Sequence, residues 1–112
     1  MQPDDLVYLG HMLDMARKAW TRVAGLDRVQ YDNDEDLRLV LVHLVQVIGE
    51  AARRVSADGQ LAHSEIPWRE IIGMRNRIVH DYLGIDEDVV WEVVSDDLPP
   101  LITVLERIVP SD

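Results

Sequence analysis

The chain has 112 residues, 47% of them hydrophobic, no cysteine, and a formal net charge of −10. The length sets a single domain over residues 1–112 with room for a modest core. The missing cysteines exclude a disulfide framework and a cysteine metal site, and the acidic balance argues against a general nucleic-acid binder, which shows a basic face.

Asp4 and Asp5 stand where a secretory leader would be basic, and no apolar run approaches the ~20 residues of a membrane span. A cytoplasmic protein without a membrane segment is expected. Leu6, Leu9, Leu13, Ala16, Trp20 and Val23 recur at three- and four-residue steps, which predicts a helix over about residues 3–23. Gly25 ends it, and a short polar loop reaches about residue 33. Asp32, Asn33 and Asp34 offer N-caps for a second helix. Its core stripe is Leu37, Val40, Leu41, Leu44, Ile48, Ala51, Ala52 and Val55, with a narrower apolar edge at Val42, Val45 and Gly49. A helix apolar on two sides packs against more than one neighbour. Gly49 admits a close backbone, from a second subunit or from a crossing within the monomer.

Ser56 to Ser64 reads as a loop around Asp58-Gly59. Pro67 suits the first turn of a third helix, which should run to about His80. Gly84 breaks the chain. Asp86 caps a fourth helix, with Glu87 and Asp88 at its positive end. Pro99 and Pro100 either kink that helix or stop it near Asp97, with another helix from Leu98 to about Val109. No segment alternates as a strand would. The fold class is all-α: an antiparallel bundle of four to five helices with a kinked C-terminal helix.

Charge is unevenly spread. Residues 1–50 carry a net −4, residues 51–80 a net +2, and residues 81–112 a net −8. The positive third ends in Met74-Arg75-Asn76-Arg77-Ile78-Val79-His80-Asp81-Tyr82. Cleavage of RNA by its own 2′-hydroxyl needs proton transfer at two oxygens and stabilisation of a phosphorane. A histidine titrates near neutrality and serves the first need. An arginine serves the second without losing its charge. On a regular helix, however, Arg75 and His80 are separated by about 140°, while Arg77 and His80, three apart, sit closer. The helix loosens at His80, Arg75 spans the gap by its length, or the pair comes from two subunits. Arg77 and Asn76 are candidate phosphate contacts. Arg53, Arg54 and Arg69 read equally well as partners of the acidic termini. Glu50 lies in an apolar stretch and needs a partner, either Arg75 or His80 or its helical neighbours Arg53 and Arg54. His11, His43 and His63 lack ligand spacing, so no metal and no cofactor is expected. Trp20, Trp68 and Trp91 read as core or dimer anchors.

The pattern Arg75-x-x-x-x-His80-x-Tyr82 resembles the signature of the HEPN superfamily, and within it the HepT toxins of HepT/MntA toxin–antitoxin pairs. Ile48-Gly49-Glu50-Ala51-Ala52, Ile66-Pro67-Trp68-Arg69-Glu70-Ile71-Ile72-Gly73-Met74 and Asp97-Leu98-Pro99-Pro100-Leu101 are similar to that family in the same order, so the likeness covers about residues 4–108. It implies a homodimeric helical bundle with two motifs in one cleft and metal-independent endoribonuclease activity on RNA rather than DNA. It implies Arg75 and His80 as the catalytic pair. Tyr82 falls where an MntA-like nucleotidyltransferase antitoxin transfers AMP. The rival reading is a non-catalytic nucleotide-binding or accessory subunit of the nucleotidyltransferase. The net charge favours it, and the histidine, superfluous for binding alone, opposes it.

Overall fold

Apolar side chains at helical spacing fold as helices along most of the chain. The computed structural model describes residues 1–80 and 84–110. Helix α1 (Asp5–Val23) buries Leu9, Met12, Leu13, Ala16, Ala19 and Val23. A five-residue helix α2 (Arg28–Asp32) follows, and α3 (Glu35–Arg54) starts at the Asp34 cap, whose side chain accepts from the Leu37 amide. Next come α4 (Ala57–Ala62), α5 (Trp68–Ile72) and α6 (Met74–Ile78), then a two-residue antiparallel ladder of β1 (Val79–His80) and β2 (Gly84–Ile85). Helix α7 (Glu87–Glu92), a π-helical segment (Val93–Asp97) and α8 (Leu98–Ile108) complete it. Helices α1 and α3 form the main pair. Helix α8 packs on α1, while α5 and α6 lie on α3.

Three stretches depart from the sequence expectation. The loop before residue 33 contains α2, because Asp27 and Gln30 form a reciprocal capping box: the Gln30 amide donates to Asp27 Oδ1 and the Asp27 amide to Gln30 Oε1. The loop around Asp58-Gly59 contains α4, capped by the Ser56 hydroxyl. The third helix does not run unbroken to His80. It is interrupted at Gly73 and stops at Ile78, where Val79 turns extended (φ −104°, ψ 118°). Two consecutive β-branched residues weaken the helix at that point, and the hydrogen bond from the Asp86 amide to the Ile78 carbonyl (2.8 Å) closes the ladder instead. Gly84, with φ +82°, supplies the left-handed residue that the return needs. A ladder of two residues per strand is too short to leave an alternation in the sequence.

Pro99 and Pro100 act as expected on α8, sitting in its first turn. The residues before them adjust by widening the helix. Leu98 donates to the Val93 carbonyl, five residues back, so the chain passes from α7 to α8 through a π segment rather than a full stop.

Two polar clusters lock the elements around this frame. Asp5, buried in the first turn of α1, accepts from the Ser56 hydroxyl (2.6 Å), the Ser56 amide (2.8 Å) and the Gln2 amide (2.9 Å). Gly59 leaves room for it, since a Cβ there would stand 2.5 Å from Asp5 Oδ2. The Ser56 hydroxyl and amide, with smaller help from Gln2 and the chain's amino terminus, hold this carboxyl below its ordinary value against the opposing effect of burial. At the other cluster, Tyr31 is fully buried beside Trp91 and donates its hydroxyl to Glu87 Oε1 at 2.5 Å. Arg38 meets Glu87 at 3.5 Å, and Arg28 bridges Asp32 and Asp88. The N-terminal turn of α7 is thereby tied to α2 and α3.

Candidate active site

The motif is placed by a close helix crossing. Gly49 of α3 meets the backbone of α5: a Cβ on it would lie 2.8 Å from the Ile71 carbonyl oxygen. Val45 and Ile48, neighbouring turns of α3, are buried in the same core as Ile71, Met74 and Ile78. The second apolar edge of α3 is therefore used within the monomer. Val40, expected in the core, is 39% exposed, and Leu39 beside it is 63% exposed.

Arg75 and Asn76 stand exposed on α6, and neither side chain makes a hydrogen bond or ion pair among the described residues. Arg77 is half-buried. Its guanidinium approaches Met74 Sδ (3.9 Å), and it lines a cavity of about 410 Å³ together with Asp97 and apolar side chains of α3, α5 and α8. Burial raises the Asp97 carboxyl above its ordinary value. Glu92 and Asp96 push the same way, and Arg77 opposes them.

His80 stands on β1 opposite Gly84. Its side chain is 41% exposed. Nε2 lies 3.2 Å from the Arg77 carbonyl oxygen and 3.5 Å from Asp86 Oδ2. The other Asp86 oxygen caps α7 by accepting from the Val89 amide (3.2 Å). The helix thus ends before His80, which removes the constraint that regular helical geometry put between Arg75 and His80. Arg77 and His80 meet through a main-chain carbonyl. Glu50 is not in this group. It is exposed, with Arg53 Nη2 at 3.7 Å, so its expected need for a buried partner does not arise. Arg54 and Arg69 are exposed as well. Tyr82, the expected modification site, lies outside the described residues. Among the described residues no three His, Asp or Glu side chains gather as metal ligands would, and no helix is long and apolar enough to cross a membrane.

The arrangement sets a partly exposed imidazole just past the end of a short helix that carries two arginines, on a chain of net charge −10. The family model described as "Ribonuclease HepT-like" matches residues 12–108. The chain belongs to the HepT-like ribonuclease family. It is 30% identical over 105 residues to a protein of Caldanaerobacter subterraneus subsp. tengcongensis, covering 94% of each chain, and 29% identical over 98 residues to one of Methanocaldococcus jannaschii, covering 88% of this chain and 90% of the other. Both carry the name "Putative RNase". It is also 35% identical over 75 residues to the "Probable ribonuclease HepT" of Thermococcus cleftensis, covering 67% of this chain and 68% of that one. No solved structure matches.

In this HepT-like chain the residue that sequence reasoning missed at the site is Asp86. Its spacing to the α7 residues identified it only as a cap. Its approach to His80 depends on the pairing of β1 with β2, which sets Gly84 opposite the histidine, and a two-residue ladder carries no periodic signal.

Proposed function

We propose that this chain is a metal-independent endoribonuclease toxin that cleaves RNA by attack of the 2′-hydroxyl on the adjacent phosphate. The observation that carries the reading is the exposed His80 ring, held at one nitrogen, two residues past the end of the short helix α6 that presents the exposed Arg75. His80 takes the proton from the 2′-oxygen as its bond to phosphorus forms. The bond to the 5′-oxygen breaks, that oxygen is protonated, and the ends are a 2′,3′-cyclic phosphate and a 5′-hydroxyl. Arg75 stabilises the extra charge on the phosphorane, and Arg77 and Asn76 contact flanking phosphates.

The domain spans the whole of residues 1–112, acts in the cytoplasm and works as a homodimer. Exposed Leu39 and Val40 on α3 and Val29 on α2 support the dimer as apolar surface available for a second copy. Two motifs then supply two histidines, one base and one acid. Mixed dimers of wild-type and His80→Ala chains test this: they lose more than half the activity if the two sites cooperate, and keep full activity per wild-type subunit if they do not. The cognate nucleotidyltransferase is the antitoxin. AMP on Tyr82, two residues past His80, adds negative charge beside the cleft and repels RNA phosphate. Any ATP and Mg²⁺ belong to that partner.

The deciding experiment is cleavage of a labelled RNA by the unmodified protein in EDTA, with His80→Ala beside it. Cleavage by the wild type alone, with cyclic-phosphate ends, is expected. Its absence, with intact mass showing a bare Tyr82, favours the second reading: a non-catalytic nucleotide-binding subunit of the nucleotidyltransferase. The net charge of −10 supports that second reading, because RNA is drawn to basic surfaces.

A further inference from the structure

His80 is held asymmetrically. Nε2 faces the Arg77 carbonyl oxygen at 3.2 Å and Asp86 Oδ2 at 3.5 Å. Both neighbours are acceptors, so the hydrogen of a neutral ring belongs on Nε2, and Nδ1 carries the lone pair. Among the described residues, both polar neighbours of the ring lie at Nε2, and the ring is 41% exposed.

Asp86 cannot swing away freely. Oδ1 caps α7 through the Val89 amide, and the Asp86 amide donates to the Ile78 carbonyl. The next two residues, Glu87 and Asp88, are tied to Tyr31, Arg38 and Arg28. One carboxylate therefore does two things: one oxygen starts the helix and the other faces the histidine.

We infer that Asp86 is a positioning residue for His80, fixing the Nε2–H tautomer so that Nδ1 is the nitrogen that takes the proton of the RNA 2′-hydroxyl. The kinetic part of this inference rests on the ribonuclease mechanism proposed above; the tautomer part does not. In the step itself, the Nδ1 lone pair accepts the 2′-hydroxyl proton as the 2′-oxygen bonds to phosphorus. The phosphorus–5′-oxygen bond breaks, and the departing oxygen takes its proton from the protonated ring of a second copy.

The test is nitrogen NMR of the full chain labelled with 15N-histidine, above the pH at which imidazole is charged, with the His80 signals assigned from His80→Gln. Asp86→Asn is the informative variant, since Asn caps a helix about as well as Asp and so preserves α7 while removing the carboxylate. The wild type should show Nε2–H at His80, and Asp86→Asn should shift the population toward Nδ1–H. On RNA, Asp86→Asn should lower kcat about tenfold and leave KM within about twofold. That is less than where a buried carboxylate orients a catalytic histidine, because the Arg77 carbonyl still accepts from the ring. A wild-type ring protonated on Nδ1, a spectrum unchanged by Asp86→Asn, or an unchanged kcat overturns the inference. The spectra are read without RNA, so an inactive wild-type chain would fail the nuclease reading while the hydrogen's place on the ring was still decided.

Discussion

Gly49 presses its α-carbon against the carbonyl of Ile71, with space for no side-chain atom between them. That contact sets how closely α5 approaches α3, and α6 with the motif follows α5 after one residue. Gly49→Ala must push the two backbones apart. Overpacking of this kind costs about 1–3 kcal/mol, partly offset by the better helix propensity of alanine. Gly10 is the control, because its Cβ would meet Val109 at an ordinary 3.8 Å. Thermal melts should show Gly49→Ala destabilised and Gly10→Ala unchanged or slightly stabilised. Equal melting of the two variants would mean that the crossing is looser than described.

Arg75 is exposed and makes no described side-chain contact, so replacing it tests chemistry with little change in stability, within about 0.5 kcal/mol. Arg75→Ala should reduce kcat on RNA roughly 10²–10³-fold, the cost of losing one charge-stabilising donor. Arg75→Lys should recover part of this, since it keeps the charge and loses the planar fork. Arg77→Ala should behave differently. Its side chain lines the cavity that holds Asp97 and opposes the rise of that carboxyl, so its loss should lower the melting temperature as well as activity. A full rate with Arg75→Ala would remove Arg75 from the mechanism.

The long helices were legible because burial writes itself into spacing. Leu9, Leu13 and Ala16 of α1 and Leu41, Leu44 and Ile48 of α3 are all buried as their periodicity requires. Caps were legible where a single side chain makes them, as at Asp34 and Asp86. The shorter features were not. Helix α2 depends on a reciprocal pair, Asp27 with Gln30, and the end of α6 depends on a long-range bond from Asp86 to Ile78. Val40 shows the limit of periodicity: it sits on the apolar stripe, yet it is 39% exposed. The site followed the same rule. Arg75 and His80 were read from residue type, but the carboxylate oxygen that faces His80 Nε2 comes from Asp86, just past the paired strand β2.

Tyr31 joins α2 to α7 through one hydrogen bond to a carboxylate. Tyr31→Phe removes that bond and keeps the packing against Trp91. The loss should be about 1.5–3 kcal/mol, the range for a hydrogen bond to a charged group, and toward its lower end because Glu87 keeps Arg38 as a partner. Glu87→Gln keeps an acceptor and should cost less. In a double-mutant cycle the two changes should cost less together than the sum of each alone. Strict additivity in urea melts would show that the bond does not form in solution.

Asp5 gives the fold an acid dependence whose sign can be worked out. Its three donors hold the folded carboxyl below the ordinary value of 3.8. Between the folded and unfolded values the unfolded chain binds more protons, so stability rises with pH. The contribution is fully present above about pH 4 and drains away as pH falls through the lower, folded value. Asp5→Asn keeps one acceptor oxygen and turns an NH₂ group toward donors, so it should be less stable than the wild type at pH 7. The gap should narrow steadily below pH 4, as the wild type loses its charge and the variant has none to lose. Ser56→Ala should reproduce part of the gap. It removes the hydroxyl donor to Asp5, and it also uncaps α4 at the Gly59 amide, a loss of about 0.5–2 kcal/mol by itself that does not titrate. Urea melts from pH 7 to pH 2 read both effects. A gap between wild type and Asp5→Asn that stays constant with pH would show that the charge on Asp5 contributes nothing, and that only the shape of its hydrogen bonds matters.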